Sequence, residues 1–330
     1  MDLIAEIINK IKRNPKSVVF PEGNNIRILK AADLAIEAGI ARPILLGKKE
    51  EVVAAGVNAG VNVDRFTIVD PSSSPKLDEY ITAYRIERDY PAGATSRLLQ
   101  RSIYFGAMML KQGDADAMVS GIEHKTESVI VASELIIGLK EGFNTPSGFL
   151  LMDIPGYSGP EGSLLIFADP AVNPEPTSEQ LADIAIASAD SAVDYLGWVP
   201  RIAMLSFSTK GSATHPLVDK VIEAVEIVKS RAPRLIIDGE LQADAAIVPE
   251  VSQQKIKGES ILSGKANILI FPDIGSANIA YKLVQRLAGA KAYGPILQGF
   301  TKPVTDLSRG ASVEDILGAT TLLVKRAQSL

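Results

Sequence analysis

The stretch DLSRGASVEDIL, Asp306 to Leu317, puts a hydroxyl, a guanidinium and two carboxylates within a few residues: Ser308, Arg309, Glu314 and Asp315. It lies at the entry to what the pattern makes the last helix. Two readings fit. Ser312 followed three residues later by Asp315 has the spacing of a capping box, in which serine and acid each bond the other's backbone N–H. Such a cap is worth about 0.5–2 kcal/mol. It leaves Ser308 and Arg309 unexplained. A helix entry with a hydroxyl, a guanidinium and a carboxylate also offers an anion clamp and a base together. Spacing alone leaves both readings open.

Three other segments carry candidate chemistry. In SFSTKGSATHP, residues 206–216, an apolar strand gives way to a helix. Ser208, Thr209, Lys210, Gly211 and Ser212 there have the groups to cradle a phosphate, through hydroxyls, backbone N–H groups and one cation. The same residues also suit an ordinary capped strand-to-helix loop. GESILSGKAN, residues 258–267, has five residues between its glycines and precedes a strand, so it is not a phosphate-binding P-loop. In FPDIGSANIAYKLVQRL, Lys282 and Arg286 stand four apart on one helix face, either as a cationic binding face or as a solvated one. Neither the dinucleotide fingerprint G-x-G-x-x-G nor the nucleophile elbow G-x-S-x-G occurs.

Composition narrows the chemistry further. The 330 residues contain no cysteine and only two histidines, His124 and His215. A thiol nucleophile, a disulfide and a thiolate metal site are thereby excluded. No metal site is expected. The net charge of −5 gives no broad basic surface for nucleic acid. The amphipathic start, MDLIAEIINKIKRN, lacks the apolar core of a signal peptide. No run reaches the ~18 apolar residues of a membrane span. The expectation is a cytoplasmic protein without membrane partners.

These residues need elements to position them. Short β-branched runs alternate with helix-length amphipathic segments: SVVFPEG, PILLG, FTIVDP, AMVSG, FLLMDI, LLIFAD, RIAMLSFS, RLIIDGE, NILIFPD and GPILQG read as strands. Alternation of this kind gives mostly parallel sheets covered by helices. FLLMDI and LLIFAD, joined by turn-rich PGYSGPEGS, read instead as an antiparallel hairpin. The length suits two domains, with a boundary near GFNTPSG, residues 142–148. Many strands end in Gly, Pro, Ser or Asp, and open α/β sheets bind ligands beyond the carboxyl ends of their strands.

The run GKANILIFPDIGSANIAYKLVQRLAGAKAYGPILQGFTKPVTDLSRGASVEDI closely resembles the phosphate acetyltransferases, or phosphotransacetylases. So do FPEGNNIRILKAA, GDADAMVSG, VNPEPTSEQLADIAI, AMLSFSTKGSA and DGELQADAAIVPEV, in family order along nearly the whole chain. The resemblance implies reversible acetyl transfer between acetyl phosphate and coenzyme A, with no permanently bound cofactor. It also implies two three-layer α/β domains, an interdomain active-site cleft and a homodimer. The first domain is then discontinuous, residues 1–145 with 301–330, and the second spans 146–300. The family's catalytic serine, arginine and aspartate fall on Ser308, Arg309 and Asp315. The aspartate takes the thiol proton, while serine and arginine hold the phosphate. A cation of the family's coenzyme A site falls on Arg85, and His124 matches the family's G-A-x-H-T/S-T segment.

The chain also departs from that family. In GIEHKTESVIVASELII, Val131-Ala132-Ser133 stand where the family has Arg-Pro-Ala, which removes a cation from an anion site. Lys125, beside His124, is the nearest replacement. RIERDYPAGATS lacks the family's glycine and basic residues after Arg85. The alternatives to an acetyltransferase are an enzyme for a longer, butyryl-like acyl group and a non-catalytic paralogue that binds or regulates.

Overall fold

The structure is a computed structural model that describes residues 3–258 and 260–330. Eleven strands alternate with helices. The chain runs through α1 (Leu3–Ile11), β1 (Lys16–Phe20), α2 (Ile26–Glu37), β2 (Ala41–Leu46), α3 (Lys49–Ala59), β3 (Thr67–Val69), α4 (Leu77–Arg88), α5 (Ala92–Leu99), α6 (Ser102–Gln112), β4 (Ala117–Ser120) and α7 (Thr126–Ala132). It continues through β5 (Ser147–Asp153), β6 (Leu164–Ala168), α8 (Ser178–Ser191), β7 (Arg201–Leu205), α9 (Pro216–Arg231), β8 (Ile236–Leu241), α10 (Ala243–Ile247), α11 (Pro249–Lys255), β9 (Ile268–Ile270), α12 (Ile274–Leu287), β10 (Lys291–Gln298), β11 (Val304–Asp306) and α13 (Val313–Gln328). All the strands read from apolar runs are present. β11 is the addition, a three-residue strand that no apolar run announces.

Two compact units divide the chain. One takes the chain up to Lys140 and resumes at Phe300–Leu330; the other is Glu141–Gly299. Both are α/β. In the first unit the strand order is β3-β2-β1-β4-β11, all parallel. From β1 the chain goes to β2 on one side and reaches β4 on the other. The topological switch point, where open α/β sheets bind ligands, therefore lies beyond the carboxyl ends of β1 and β4.

In the second unit β6, β9, β7 and β8 run parallel, while β5 is antiparallel to both β6 and β10. The β5–β6 pair is the hairpin that PGYSGPEGS requires. Its strands share a core with β9, where the rings of Phe167 and Phe271 lie 5.2 Å apart.

Two helices of the first unit fix the loops that matter. Asn25 caps α2 by accepting from the N–H groups of Arg27 and Ile28, and the helix buries Ile28, Leu29, Ala32 and Ala35. α13 buries Ile316, Ala319, Leu322, Leu323 and Val324, and packs on α1, α2 and β4. Burying a leucine or isoleucine is worth about 1.5–3 kcal/mol, so both helix starts are held by more than their caps. No helix among the described residues is long and apolar enough to cross a membrane.

Candidate active site

The loops after β1, β4 and β11 converge in the first unit. β1 runs on through Pro21 to Glu22, which is 3% exposed. Its carboxylate accepts from the backbone N–H groups of Gly121 (3.2 Å), Ile122 (3.2 Å), Glu123 (2.8 Å) and His124 (2.8 Å). His124 Nδ1 lies 2.9 Å from the same carboxylate. Burial alone would push the Glu22 carboxyl up. The hydrogen bonds from His124 and Glu123 outweigh it and hold the group below its ordinary value. With Glu22 ionised, Nδ1 of His124 carries the donated proton, which leaves Nε2 as the ring's other face for a ligand.

Gly121 makes this convergence possible. Its φ is +116°, and a Cβ there would meet the Leu307 nitrogen at 2.3 Å. That nitrogen donates to the Ser120 carbonyl at 2.7 Å, closing the end of β11 onto β4.

β11 delivers the DLSRG loop. The loop is a turn in which Ala311 N–H donates to the Ser308 carbonyl (2.9 Å) and Gly310 N–H to Ser308 Oγ (3.3 Å). Arg27, from α2, clasps it from outside, donating to the carbonyls of Arg309 (2.9 Å) and Ala311 (2.7 Å). The Arg309 side chain is exposed, and its guanidinium has no hydrogen-bond partner among the described residues. Its backbone is pinned while its guanidinium stays exposed.

Asp315 answers the question of the cap. Ser312 N–H donates to Asp315 Oδ2 at 2.9 Å, and Asp315 N–H donates to Ser312 Oγ at 3.1 Å, so the capping box is present. The two readings are compatible, because the cap uses one carboxylate oxygen and leaves Oδ1 uncommitted.

Asp306 closes the site from below. It ends β11, is 2% exposed, and its Oδ1 has no hydrogen-bond partner among the described residues. Burial pushes this carboxyl up to about 6, and the charge of Glu22 adds to the rise. The Thr126 hydroxyl and Arg309 act against it.

The other candidates are placed as follows. Lys125 sits at the N-cap position of α7, exposed, its amino group unpaired among the described residues. Arg85, also exposed, lies on α4 and donates to the Tyr90 carbonyl at 3.1 Å; no described contact joins it to the Ser308 loop. His215 caps α9 and accepts from Leu217 N–H at 3.1 Å.

In the second unit, the loop of Ser208 to Ser212 is turned inward. Ser208 Oγ (2.9 Å) and Gly211 N–H (2.7 Å) both donate to Glu240 Oε1. Lys210 pairs with Asp238 and donates to the Gly239 carbonyl. Thr209 is buried against Gln242. Groups that suit an anion here hold a carboxylate of the chain itself. Lys282 and Arg286 lie exposed on α12, with Lys282 over the Tyr281 ring. An apolar cavity of about 340 Å³ opens beyond β7 and β9, lined by Leu205, Phe207, Leu217, Phe271 and the Lys220 side chain among others.

Sequence reasoning missed three residues of the site: Glu22, Arg27 and Asp306. Each had a signal. Glu22 is an acid directly behind an apolar strand, and Arg27 lies in the same FPEGNNIR segment. Asp306 opens the DLSRGASVEDIL stretch itself. Among the described residues no group of three or more metal-ligating side chains is present.

A doubly wound α/β unit with an acid-lined, cation-rimmed switch point is a fold that binds its ligands beyond the carboxyl ends of its strands. The comparisons with known proteins specify the family. The model described as phosphate acetyl/butaryl transferase matches residues 2–324. The phosphate acetyltransferase of Thermoanaerobacterium thermosaccharolyticum is 46% identical over 331 aligned residues, covering 99% of this chain and 100% of that one. A phosphotransacetylase from Streptococcus pyogenes is 40% identical, with full coverage of both chains and a TM-score of 0.91. The EutD phosphotransacetylase of Staphylococcus aureus is 36% identical, covering 99% and 100%, with a TM-score of 0.88. The chain belongs to the phosphate acetyl/butyryl transferase family and is an acyltransferase.

Proposed function

We propose that the chain is a phosphate acetyltransferase, moving an acetyl group reversibly between acetyl phosphate and coenzyme A. The observation that carries this reading is the Ser308–Arg309 turn: its backbone is clasped by Arg27 while the exposed guanidinium makes no hydrogen bond among the described residues. A preorganised cation of this kind suits an acyl phosphate, whose leaving group is a multiply charged anion.

The absence of cysteine favours direct attack by the coenzyme A thiol on the acyl carbon, and Asp315 is the base in this reading. Proton transfer from an ordinary thiol (pKa ~8.5) to an ordinary aspartate (~3.9) is uphill by about 6 kcal/mol. A nearby cation lowers the thiol and narrows that gap. Arg309, facing the phosphoryl group, and Lys125 are the cations available. The thiol proton passes to Asp315 Oδ1, the acyl–oxygen bond to phosphate breaks as the acyl–sulfur bond forms, and phosphate leaves on Ser308 and Arg309. Arg85, His124 and the cations Lys282 and Arg286 are assigned to coenzyme A. Ser208, Thr209, Lys210, Gly211 and Ser212 join that set only if Glu240 gives way. The protein works as a cytoplasmic homodimer in this account.

The acyl preference decides between acetyl and longer substrates. Turnover of acetyl, propionyl and butyryl phosphate with coenzyme A should give the highest kcat/KM for acetyl phosphate. One methylene in a fitted pocket changes the ratio by about 10- to 200-fold. A butyryl preference would move the assignment to the longer-chain enzyme.

Lys125 replaces charge lost at Val131 in this reading. Lys125→Ala should raise KM for acetyl phosphate or coenzyme A by roughly 1.5- to fivefold, the range of an exposed charge pair, with the effect shrinking in salt. Val131→Arg should restore part of the loss. An unchanged KM in Lys125→Ala would end the compensation argument.

A further inference from the structure

Two carboxyl groups lie buried beneath the anion-holding loop, and the structure treats them oppositely. Glu22 receives four backbone N–H groups and His124 Nδ1. Asp306, two residues before Ser308, has the Thr126 hydroxyl beside it, which favours its charged form. Its Oδ1 is buried without a hydrogen-bond partner among the described residues. A carboxylate that gives up water and gains so little is far costlier than the neutral acid in the same place.

The charges around Asp306 sharpen the contrast. Glu22, from the loop after β1, repels an ionised Asp306, while Arg309, on its own loop, is the cation that acts on it. β4 sets the uncharged Ser120 in register with it. From α7 comes the Thr126 hydroxyl, with Lys125 exposed at the helix start. From α13, Asp315 is turned to Ser312. His124 is engaged by Glu22. An anion bound to Arg309 therefore weakens the one favourable charge on Asp306 and adds a like charge beside it.

We propose that Asp306 takes up a proton when an oxyanion binds at Arg309, so that Asp306 is a positioning residue whose protonation sets the affinity of the anion clamp. This rests on the reading of Arg309 as that clamp. Burial holds the carboxyl at about 6 before any anion arrives, and added negative charge moves it upward from there. The sign follows from linkage. A ligand that raises a group's pKa binds best below the unliganded value, and its affinity falls as pH rises through the liganded value. Each unit of upward shift corresponds to about tenfold in affinity.

The test is calorimetric titration with sulfate, whose own charge is constant from pH 5.5 to 8, in buffers of different ionisation heat. The wild-type protein should lose about tenfold in sulfate affinity across that range and take up roughly half a proton or more per sulfate near pH 6.5. Asp306→Asn should bind sulfate at pH 8 as tightly as the wild type does at pH 5.5, with no proton uptake. A merely structural role predicts the opposite, weaker binding at every pH. His124→Asn should retain the pH dependence, which separates Asp306 from the imidazole. If Asp306→Asn does not fold, proton uptake by the wild type and His124→Asn still decides. Flat affinity with no uptake, weaker binding by Asp306→Asn at pH 8, or loss of the dependence in His124→Asn would each overturn the proposal. Sulfate binding by Arg309→Ala equal to the wild type would instead defeat the clamp assignment beneath it.

Discussion

Arg309→Ala should lower turnover of acetyl phosphate and coenzyme A by about 100- to 1000-fold, the usual cost of losing one preorganised donor to a developing charge. The fold should survive it. The side chain is exposed and makes no described hydrogen bond, and the contacts that hold this segment use the Arg309 backbone carbonyl, which alanine keeps. Unchanged thermal stability with lost turnover is the expected pair of results. Arg309→Lys should recover only a small part, because an ammonium lacks the planar fork that matches phosphate oxygens. A variant that keeps more than a third of wild-type turnover would remove Arg309 from the chemistry.

Asp315→Asn separates the observed cap from the base role proposed for the same side chain. Asparagine can still accept the Ser312 N–H through its amide oxygen, so the cap largely persists and stability should change by less than ~1 kcal/mol. The base is gone, and general base catalysis is worth about 100- to 10,000-fold. Turnover should therefore collapse while the melting temperature barely moves. If Asp315 serves only as a cap, the order reverses: near-normal turnover and a small loss of stability. Ser312→Ala provides the complement, since it removes the cap's hydroxyl and leaves the Asp315 carboxylate in place. It should cost stability on the scale of a lost cap, about 1 kcal/mol, and far less turnover than Asp315→Asn.

Much of the architecture is legible in the sequence because buried parallel strands are nearly continuous apolar runs, and such runs are visible without partners. β11 is not. Val304-Thr305-Asp306 is three residues long and ends in a buried acid, so nothing in its composition distinguishes it from a loop. Its existence depends on β4, whose residues Met118, Val119 and Ser120 it pairs with from far along the chain. That short strand carries Ser308 and Arg309 to the switch point.

The Ser208–Ser212 loop fails in the other direction. Its composition suits an anion and the structure supplies one, but the anion is Glu240, 32 residues on from Ser208. A local motif reveals what a loop is able to bind, whereas the chain's own nonlocal carboxylate decides whether the loop is open. Glu22 illustrates the same limit. A carboxylate behind a strand looks like a solvated strand end until the 121–124 loop wraps its N–H groups around it.

The most direct measurement of the account is the stoichiometry and order of the reaction. The purified protein, mixed with acetyl phosphate and coenzyme A, should form acetyl-CoA and inorganic phosphate one for one. Without coenzyme A it should exchange no labelled phosphate into acetyl phosphate, because in the proposed mechanism the thiol attacks directly and no acyl-enzyme forms. No acetyl-CoA, or phosphate exchange in the absence of coenzyme A, would contradict it.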